Sequence, residues 1–559
     1  MPTRTIEKRY AFRQGFATDL ALQTRDISVL EVADNVLFQV SGAVRKVGGS
    51  QRINPTAITG APDIVGLFDY WKAGPSGNST QRLVMVGGDG GIYKDTGGTP
   101  VSIKGSVTWT TGARPIFAQA GNILTLWSSS ADAPVKWNQE GNCAVLGGSP
   151  PSARVATYHR SRLWAANTNA NPSRLFFSAF GDPETWTGTD SGFIDIDPGD
   201  GDNIVGLASY KGALIVFKGP YKGSIHQVVG SAPTGTDAFA RKPILKGNAL
   251  QTHNSIVEVG NDLWFMSESG IYSLDAVFAT GDFAQADMTR FLKGFFTSQI
   301  NRTNLDRVWG VHYSHRSCAI WTLTASGASE HNLALVLSYI RKPEEGLKAS
   351  LWKRGCLSAC VRIHPTTLVR EIVFGQTDGF ATRQDVATRG LASNTTGGFL
   401  LGTDILGSGA VAGAGGAFLG NAFGSTLAYT LRMKTPQIIL QDQDVTGRER
   451  TDQPVTLTRI HLRSEPMGNY DVTMRISRDG LTPETYTFNQ GSAGFLLGTD
   501  FLGVGVLGGG TLQTVSADAS GEARAVSLEI TQGGALQDAH LYEVGIDFTT
   551  TAPVGATTL

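Results

Sequence analysis

Residues 172–230, PSRLFFSAFGDPETWTGTDSGFIDIDPGDGDNIVGLASYKGALIVFKGPYKGSIHQVVG, decide how the rest of the chain is read. RLFFSAF alternates around Phe176 and Phe177, and GDPETW turns through Asp182 and Pro183 before burying Trp186. GFIDIDPGDGD sets Phe193, Ile194 and Ile196 against Asp195 and Asp197 and ends in a Gly/Asp turn. NIVGLASYKGALIVFK adds two β-rich runs about a Lys211-Gly212 turn, and SIHQVV follows. Period-two apolar runs between Gly, Pro, Asp and Asn clusters predict an antiparallel meander. A segment built this way is scaffold, so function is expected from shape and assembly.

Outward from this stretch, one phrase recurs. RLVMVGGDGGIYKD (82–95), DLWFMSESGIYSLD (262–275) and REIVFGQTDGFATRQD (370–385) each read as strand, tight turn, strand. Sheets repeated at intervals of some tens of residues predict propeller blades, here five to seven, with the phrase as the inner part of each sheet. Stacked β-sandwiches are the other arrangement these strands allow. From about residue 397 the character changes. GFLLGTDILGSG (398–409) returns as GFLLGTDFLGVG (494–505), differing at two positions. Strictly alternating strands accompany the pair, such as Val472, Met474 and Ile476 against Thr473, Arg475 and Ser477. One dry face and one wet face predict a jelly-roll-like β-sandwich. The expected division is an N-terminal arm and hairpin over 1–54, a β-propeller over 55–390, and glycine-rich repeats with a β-sandwich over 391–559. The fold class is all-β.

Composition narrows the function. The chain has 559 residues, 69 of them Gly, as many tight turns require. Lys plus Arg (47) nearly cancels Asp plus Glu (48), so no basic field advertises nucleic-acid binding. Charged residues are only 17%, which points to large subunit interfaces. Cys143, Cys318, Cys356 and Cys360 form neither a disulfide framework nor a zinc spacing and are expected to be idle thiols. The first residues lack an apolar signal core, so assembly in the cytoplasm is expected. Residues 405–431 carry no charge, but Gly and Ala dominate them, and a membrane span is not expected.

No catalytic motif is present, and no cofactor is expected: there is no G-x-S-x-G elbow, Walker A loop or dinucleotide fingerprint. His312 and His315 lie three apart and do not share a strand face. The one metal candidate is the loop carrying Asp195, Asp197, Asp200 and Asp202, an oxygen-rich set suited to Ca²⁺ or Mg²⁺. Gly206 stands where a calcium loop needs its bidentate carboxylate, so a turn is the preferred reading and no metal is expected. Nothing pairs two carboxylates across a cleft, as glycoside cleavage requires.

RLFFSAFGDPETW…GFIDIDPGDGDNIVGLASYKGALIVFK resembles the central signature of tail nozzle (tail tubular B-like) and packaged-DNA stabilisation proteins of short-tailed bacteriophages. NVLFQVSGAVRKVGG is similar to the opening pattern of that group through Asn35, Gly42, Lys46 and Gly49, and KGNALQTHNSIVEVGNDLWFMSESGIYSLD resembles the blade that follows. The likeness spans roughly residues 30–390 and carries no catalytic residue. It implies a ring, usually of six copies, docked below the portal adaptor in the virion tail. Such a ring retains packaged DNA and conducts it during ejection, with fibres or spikes bound at the tip. The duplex would pass without sequence specificity. The twin GFLLGTD segments depart from the pattern. The alternative is a carbohydrate-binding or carbohydrate-cleaving propeller acting as a receptor-binding protein, with Trp164, Trp186, Trp264 and Trp309 as sugar-stacking candidates.

Overall fold

The computed structural model describes residues 4–12, 15–19, 29–39, 43–74, 78–339, 347–386, 430–440, 442–443, 449–450, 454–465, 470–490, 512–533 and 539–550. Both GFLLGTD repeats, and nearly all of the uncharged stretch 405–431, lie outside these residues. Among the described residues, no helix is long and apolar enough to cross a membrane.

The predicted meanders are blades of a β-propeller. Six sheets of three or four strands are blades. The first four run from Ile64–Ala73 to Val101–Ser102, from Pro115–Ala120 to Ala144–Val145, from Ala153–His159 to Gly192–Asp195, and from Asn203–Tyr210 to Ala240–Lys246. The fifth has three strands, Val257–Val259, Asp262–Ser267 and Gly270–Ser273. The sixth runs from Ser358–Ile363 to Ala381–Val386 and takes its fourth strand, Gly49–Arg52, from the N-terminal region. Between the fifth and sixth blades lies the meander Gly310–Tyr313, Cys318–Leu323, Leu333–Tyr339 and Leu347–Trp352, which continues into a larger sheet. The first strands of the first four sheets neighbour one another in turn, Asn203–Tyr210 meets the turn His253–Ser255 ahead of the fifth, Gly310–Tyr313 links the fifth to the sixth, and Ser358–Ile363 packs on Ile64–Ala73 to close the circle. Closure by a strand from the far end of the sequence ties the ring shut and leaves no first or last blade edge open.

Residues 172–230 turn out to straddle two blades. Arg174–Phe177 and Gly192–Asp195 are the outer strands of the third, and Asn203–Tyr210, Ala213–Gly219 and Ser224–Val229 are the inner three of the fourth. Ala213–Gly219 is buried along its whole length because blades cover it on both faces. Its entry turn has Lys211 at φ 45° and Gly212 at φ 76°, with Tyr210 paired to Ala213. Two consecutive positive φ angles make a two-residue hairpin whose twist matches the strands. Trp186 is half-buried and meets Trp127 of the preceding blade edge to face, with ring centroids 6.0 Å apart.

The recurring phrase is not the inner part of each sheet, as its sequence suggested. It supplies the second and third strands, and the strand before it lines the axis. Blade five lacks a fourth strand because the chain enters the helix Leu274–Thr280 instead. Ser273 caps that helix by accepting from the Ala276 N–H (3.0 Å), and Gly281 ends it at φ 68°.

After the propeller, two further sheets share one hydrophobic core. Leu431–Lys434, Ala525–Gln532, Asp471–Arg478 and Glu484–Asn489 extend the meander's sheet, joined to it through Val32–Asp34. Gln513–Ala523, Val455–Ser464 and His540–Thr550 form the second sheet, which also takes Arg4–Ala11, Val36–Phe38 and Val44–Lys46. Val472, Met474, Leu528 and Ile530 meet Ile460, Leu462, Ile546 and Phe548 in that core, the inward half of each alternating strand. The segment expected as an N-terminal arm therefore contributes strands to the last blade and to both of these sheets.

Candidate functional site

The acidic loop singled out in the sequence holds its own cation. Lys218, on the inner strand Ala213–Gly219, is fully buried, and its Nζ donates to Ile196 O (2.9 Å), Asp197 O (2.8 Å) and Asp200 Oδ1 (2.7 Å). Two carbonyls and a carboxylate aimed at one point are what a hard cation requires, and here an ammonium fills that point. Burial pushes the Asp200 carboxyl up, but the Lys218 hydrogen bond and the Asp202 N–H outweigh it and leave the group below its usual range. The other three carboxylates turn elsewhere. Asp195 takes both Arg174 donors (2.7 and 3.0 Å), Asp197 is hydrogen-bonded by Arg241, and Asp202 accepts the backbone N–H groups of Tyr221 (2.9 Å), Lys222 (3.0 Å) and Gly223 (2.7 Å). The loop is a charge-satisfied corner between blades, and its four aspartates do not converge on one ion.

The first strands of the first, second and last blades, the turn His253–Ser255 and the start of the meander enclose a cavity of about 290 Å³ near the propeller axis, lined by Phe68, Asp69, Phe117, His253, Trp309 and Cys360 among others. Its size sits at the lower limit for small-ligand pockets. Asp69 is the one carboxylate among the lining residues. Burial raises its carboxyl, against N–H donors from Trp71 (2.9 Å) and Gln81 (2.8 Å). Hydrolysis of a glycosidic bond needs a second carboxyl facing the first across the cleft, and none lines this one. His253 accepts the Leu207 N–H through Nδ1 (3.2 Å), which fixes the neutral ring with its proton on Nε2.

Apart from half-buried Trp186, the remaining tryptophan and cysteine candidates are buried. Trp164, Trp264 and Trp309 are buried, and Trp264 stacks on Trp321 with centroids 6.3 Å apart. His312 bonds the Tyr339 hydroxyl (2.7 Å), while His315 sits in the turn Ser314–Arg316. All four cysteines are free and buried, and burial lifts the Cys143 thiol to about 12.

Sequence reading missed a buried polar joint. Arg45 and Lys46 of the N-terminal hairpin are both buried, with Lys46 Nζ donating to Gln532 Oε1 (2.7 Å) of the C-terminal sheets. Asp385 of the last blade accepts from the Gly48 N–H (3.0 Å) and from Arg316 (2.9 Å), and Arg45 approaches it to 3.5 Å. Asn35 takes a left-handed φ of 53° and bridges Thr430 O (3.0 Å) and the Lys353 N–H (2.9 Å). Asn35 of the resemblance pattern thus bridges the meander and the C-terminal strands, Lys46 joins the two C-terminal sheets, and Gly49 pairs with Val386 inside the last blade. The spacing of that pattern was the only available signal.

Burial also sets an acid response. It holds His226, His253 and His331 neutral by lowering each to about 4 from an ordinary 6.5, with Lys218 and Lys246 adding to the effect at His226. The unfolded chain takes these protons first. The stabilisation is therefore complete above about pH 6.5, is lost as pH falls toward about 4, and amounts to a few kcal/mol per histidine in order of magnitude. The urea midpoint is expected to drop between pH 7.5 and pH 5; an unchanged or higher midpoint would contradict this.

No protein-family model matches the chain, and no curated protein matches it. Solved structures show partial likeness. BBS1N in complex with ARL6DN is 10% identical with a TM-score of 0.36, over 60% of this chain and 97% of that one. YCF48 bound to D1 peptide is 10% identical with a TM-score of 0.34, over 59% and 95%. An exo-beta-1,3-galactanase from Phanerochaete chrysosporium is 10% identical with a TM-score of 0.26, over 90% and 99%. At these scores none of them lends its activity or partners to this chain.

Proposed function

We propose that this chain is a structural, non-catalytic subunit of a phage tail nozzle. Six copies form a ring below the portal adaptor, retain packaged DNA and conduct it during ejection. The two sheets that share a core are read as the C-terminal sandwich, the part that would carry fibres or spikes at the tip. The assembled protein resides in the virion tail after assembly in the host cytoplasm.

The observation that carries this reading is the way polar residues are used. Lys218 secures a corner between neighbouring blades, and Arg45, Lys46, Arg316 and Asp385 serve as joints between strands far apart in sequence. The resemblance over residues 30–390 supplies the kind of assembly. In this reading the DNA channel lies between subunits, and a chain whose net charge is only −1 adds little phosphate affinity. Each neutralised phosphate would tighten binding and impede passage. The carbohydrate alternative loses two of its four proposed stacking residues, Trp164 and Trp264, to the core.

Light scattering on the purified chain, alone and with the portal adaptor, tests the proposal. The expected mass is six times the 59.3 kDa subunit in at least one of the two conditions. A monomer in both would overturn it.

A further inference from the structure

On the outer face of the second C-terminal sheet, three adjacent strands bring Glu7, Asp547 and His461 together. Glu7 is paired directly with Asp547 across Arg4–Ala11 and His540–Thr550, and His461 lies diagonally across on Val455–Ser464. One ligand atom from each residue lies within 4.8 Å of the other two. His461 Nε2 is already 2.8 Å from Asp547 Oδ2. Asp547 Oδ1 is buried and has no hydrogen-bond partner among the described residues. A carboxylate oxygen withdrawn from water without a donor is costly unless a cation meets it. Opposite His461 the sheet has Gly545, where a Cβ would come within 3.2 Å of the ring, so glycine is what lets the imidazole lie over the strand toward Asp547.

We infer that Glu7, His461 and Asp547 form a divalent-metal site that takes Zn²⁺. One imidazole and two carboxylates are a donor set zinc accepts, with metal–ligand distances of about 2.0–2.2 Å and ligand atoms therefore about 3.4 Å apart in a tetrahedron. Glu7 is exposed and swings in by a change of rotamer. It gives up Arg9, now 2.6 Å away, which keeps a second carboxylate in Glu543 at 3.4 Å. In the empty site Nε2–H donates to Asp547; ligation uses the other tautomer, with the proton on Nδ1 and the Nε2 lone pair on the metal. The fourth position is left to water. Because Glu7 stands on the first strand and Asp547 on the last, the ion pins the start of the chain to its C-terminal sheet. This site is independent of the nozzle proposal.

The test is calorimetric titration of zinc chloride into the EDTA-treated, dialysed full-length chain, with magnesium chloride as control. One zinc per chain is expected, with no heat from magnesium. His461→Ala and Glu7→Gln should each weaken zinc binding roughly tenfold or more. Hydrogen exchange over residues 4–11 should slow on adding zinc to the natural chain but not to His461→Ala. Glu7→Gln removes an exposed carboxylate while keeping its shape, so its folding is not in question. Absence of zinc binding, or unchanged affinity in both variants, would overturn the inference.

Discussion

Asp385→Ala is expected to be among the most destabilising single substitutions in the chain, at about 3–5 kcal/mol. The Asp385 side chain is only 1% exposed, and three groups from different parts of the sequence converge on it: the Gly48 N–H, Arg316 and Arg45. Removing it leaves the Arg45 guanidinium, itself 8% exposed, without this nearby counter-charge. Breaking a buried pair costs far more than the pair contributes as a whole, because the remaining charge stays desolvated. Asp385 also occupies a left-handed φ of 54°, which Asp tolerates better than Ala. Asp385→Asn keeps the shape and one acceptor and should lose less. Urea unfolding provides the measurement. In a double-mutant cycle with Arg316→Ala, the two losses should be clearly non-additive. Additive losses below about 1 kcal/mol each would show that the joint does not hold the last blade to the hairpin.

Lys218→Met is the second large effect, expected at about 3 kcal/mol. Methionine fills the space but donates nothing, leaving Ile196 O, Asp197 O and the Asp200 carboxylate without the ammonium they share. Asp200 is 32% exposed, so water recovers part of the loss, which places this change below Asp385→Ala. The comparison that isolates burial is Arg174→Ala. That change also removes an aspartate's partner, Asp195, but both side chains of the pair are partly exposed and it should cost under about 1 kcal/mol. Equal effects of the two substitutions would mean that the corner is not held by its buried lysine.

These two residues mark where the sequence stops being legible. Period-two runs and two-residue turns such as Lys211-Gly212 are local, and they suffice to announce meanders and a propeller. Closure of the ring by Gly49–Arg52 depends on pairing with Ala381–Val386, more than three hundred positions away, and no local pattern records it. The same holds for Arg45 and Lys46, whose spacing suits a surface hairpin and whose partners lie in the last blade and the C-terminal sheets. The acidic loop was legible as a cation site in its oxygen donors. Its cation, Lys218, looked like an ordinary strand residue until the fold turned it inward. Of the aromatics read as possible sugar platforms, Trp164 and Trp264 are core residues, Trp309 is buried against the cavity, and Trp186 is half-buried. The Glu7–His461–Asp547 group spans both ends of the chain and was invisible for the same topological reason.

The central claim is that function arises from a ring of these subunits. Electron microscopy of the purified protein bound to the portal adaptor tests it most directly. The account predicts class averages with six copies around a channel wide enough for a DNA duplex, and the small axial cavity of each propeller set off that channel. Isolated subunits, or assemblies whose only opening is the propeller axis, would contradict it.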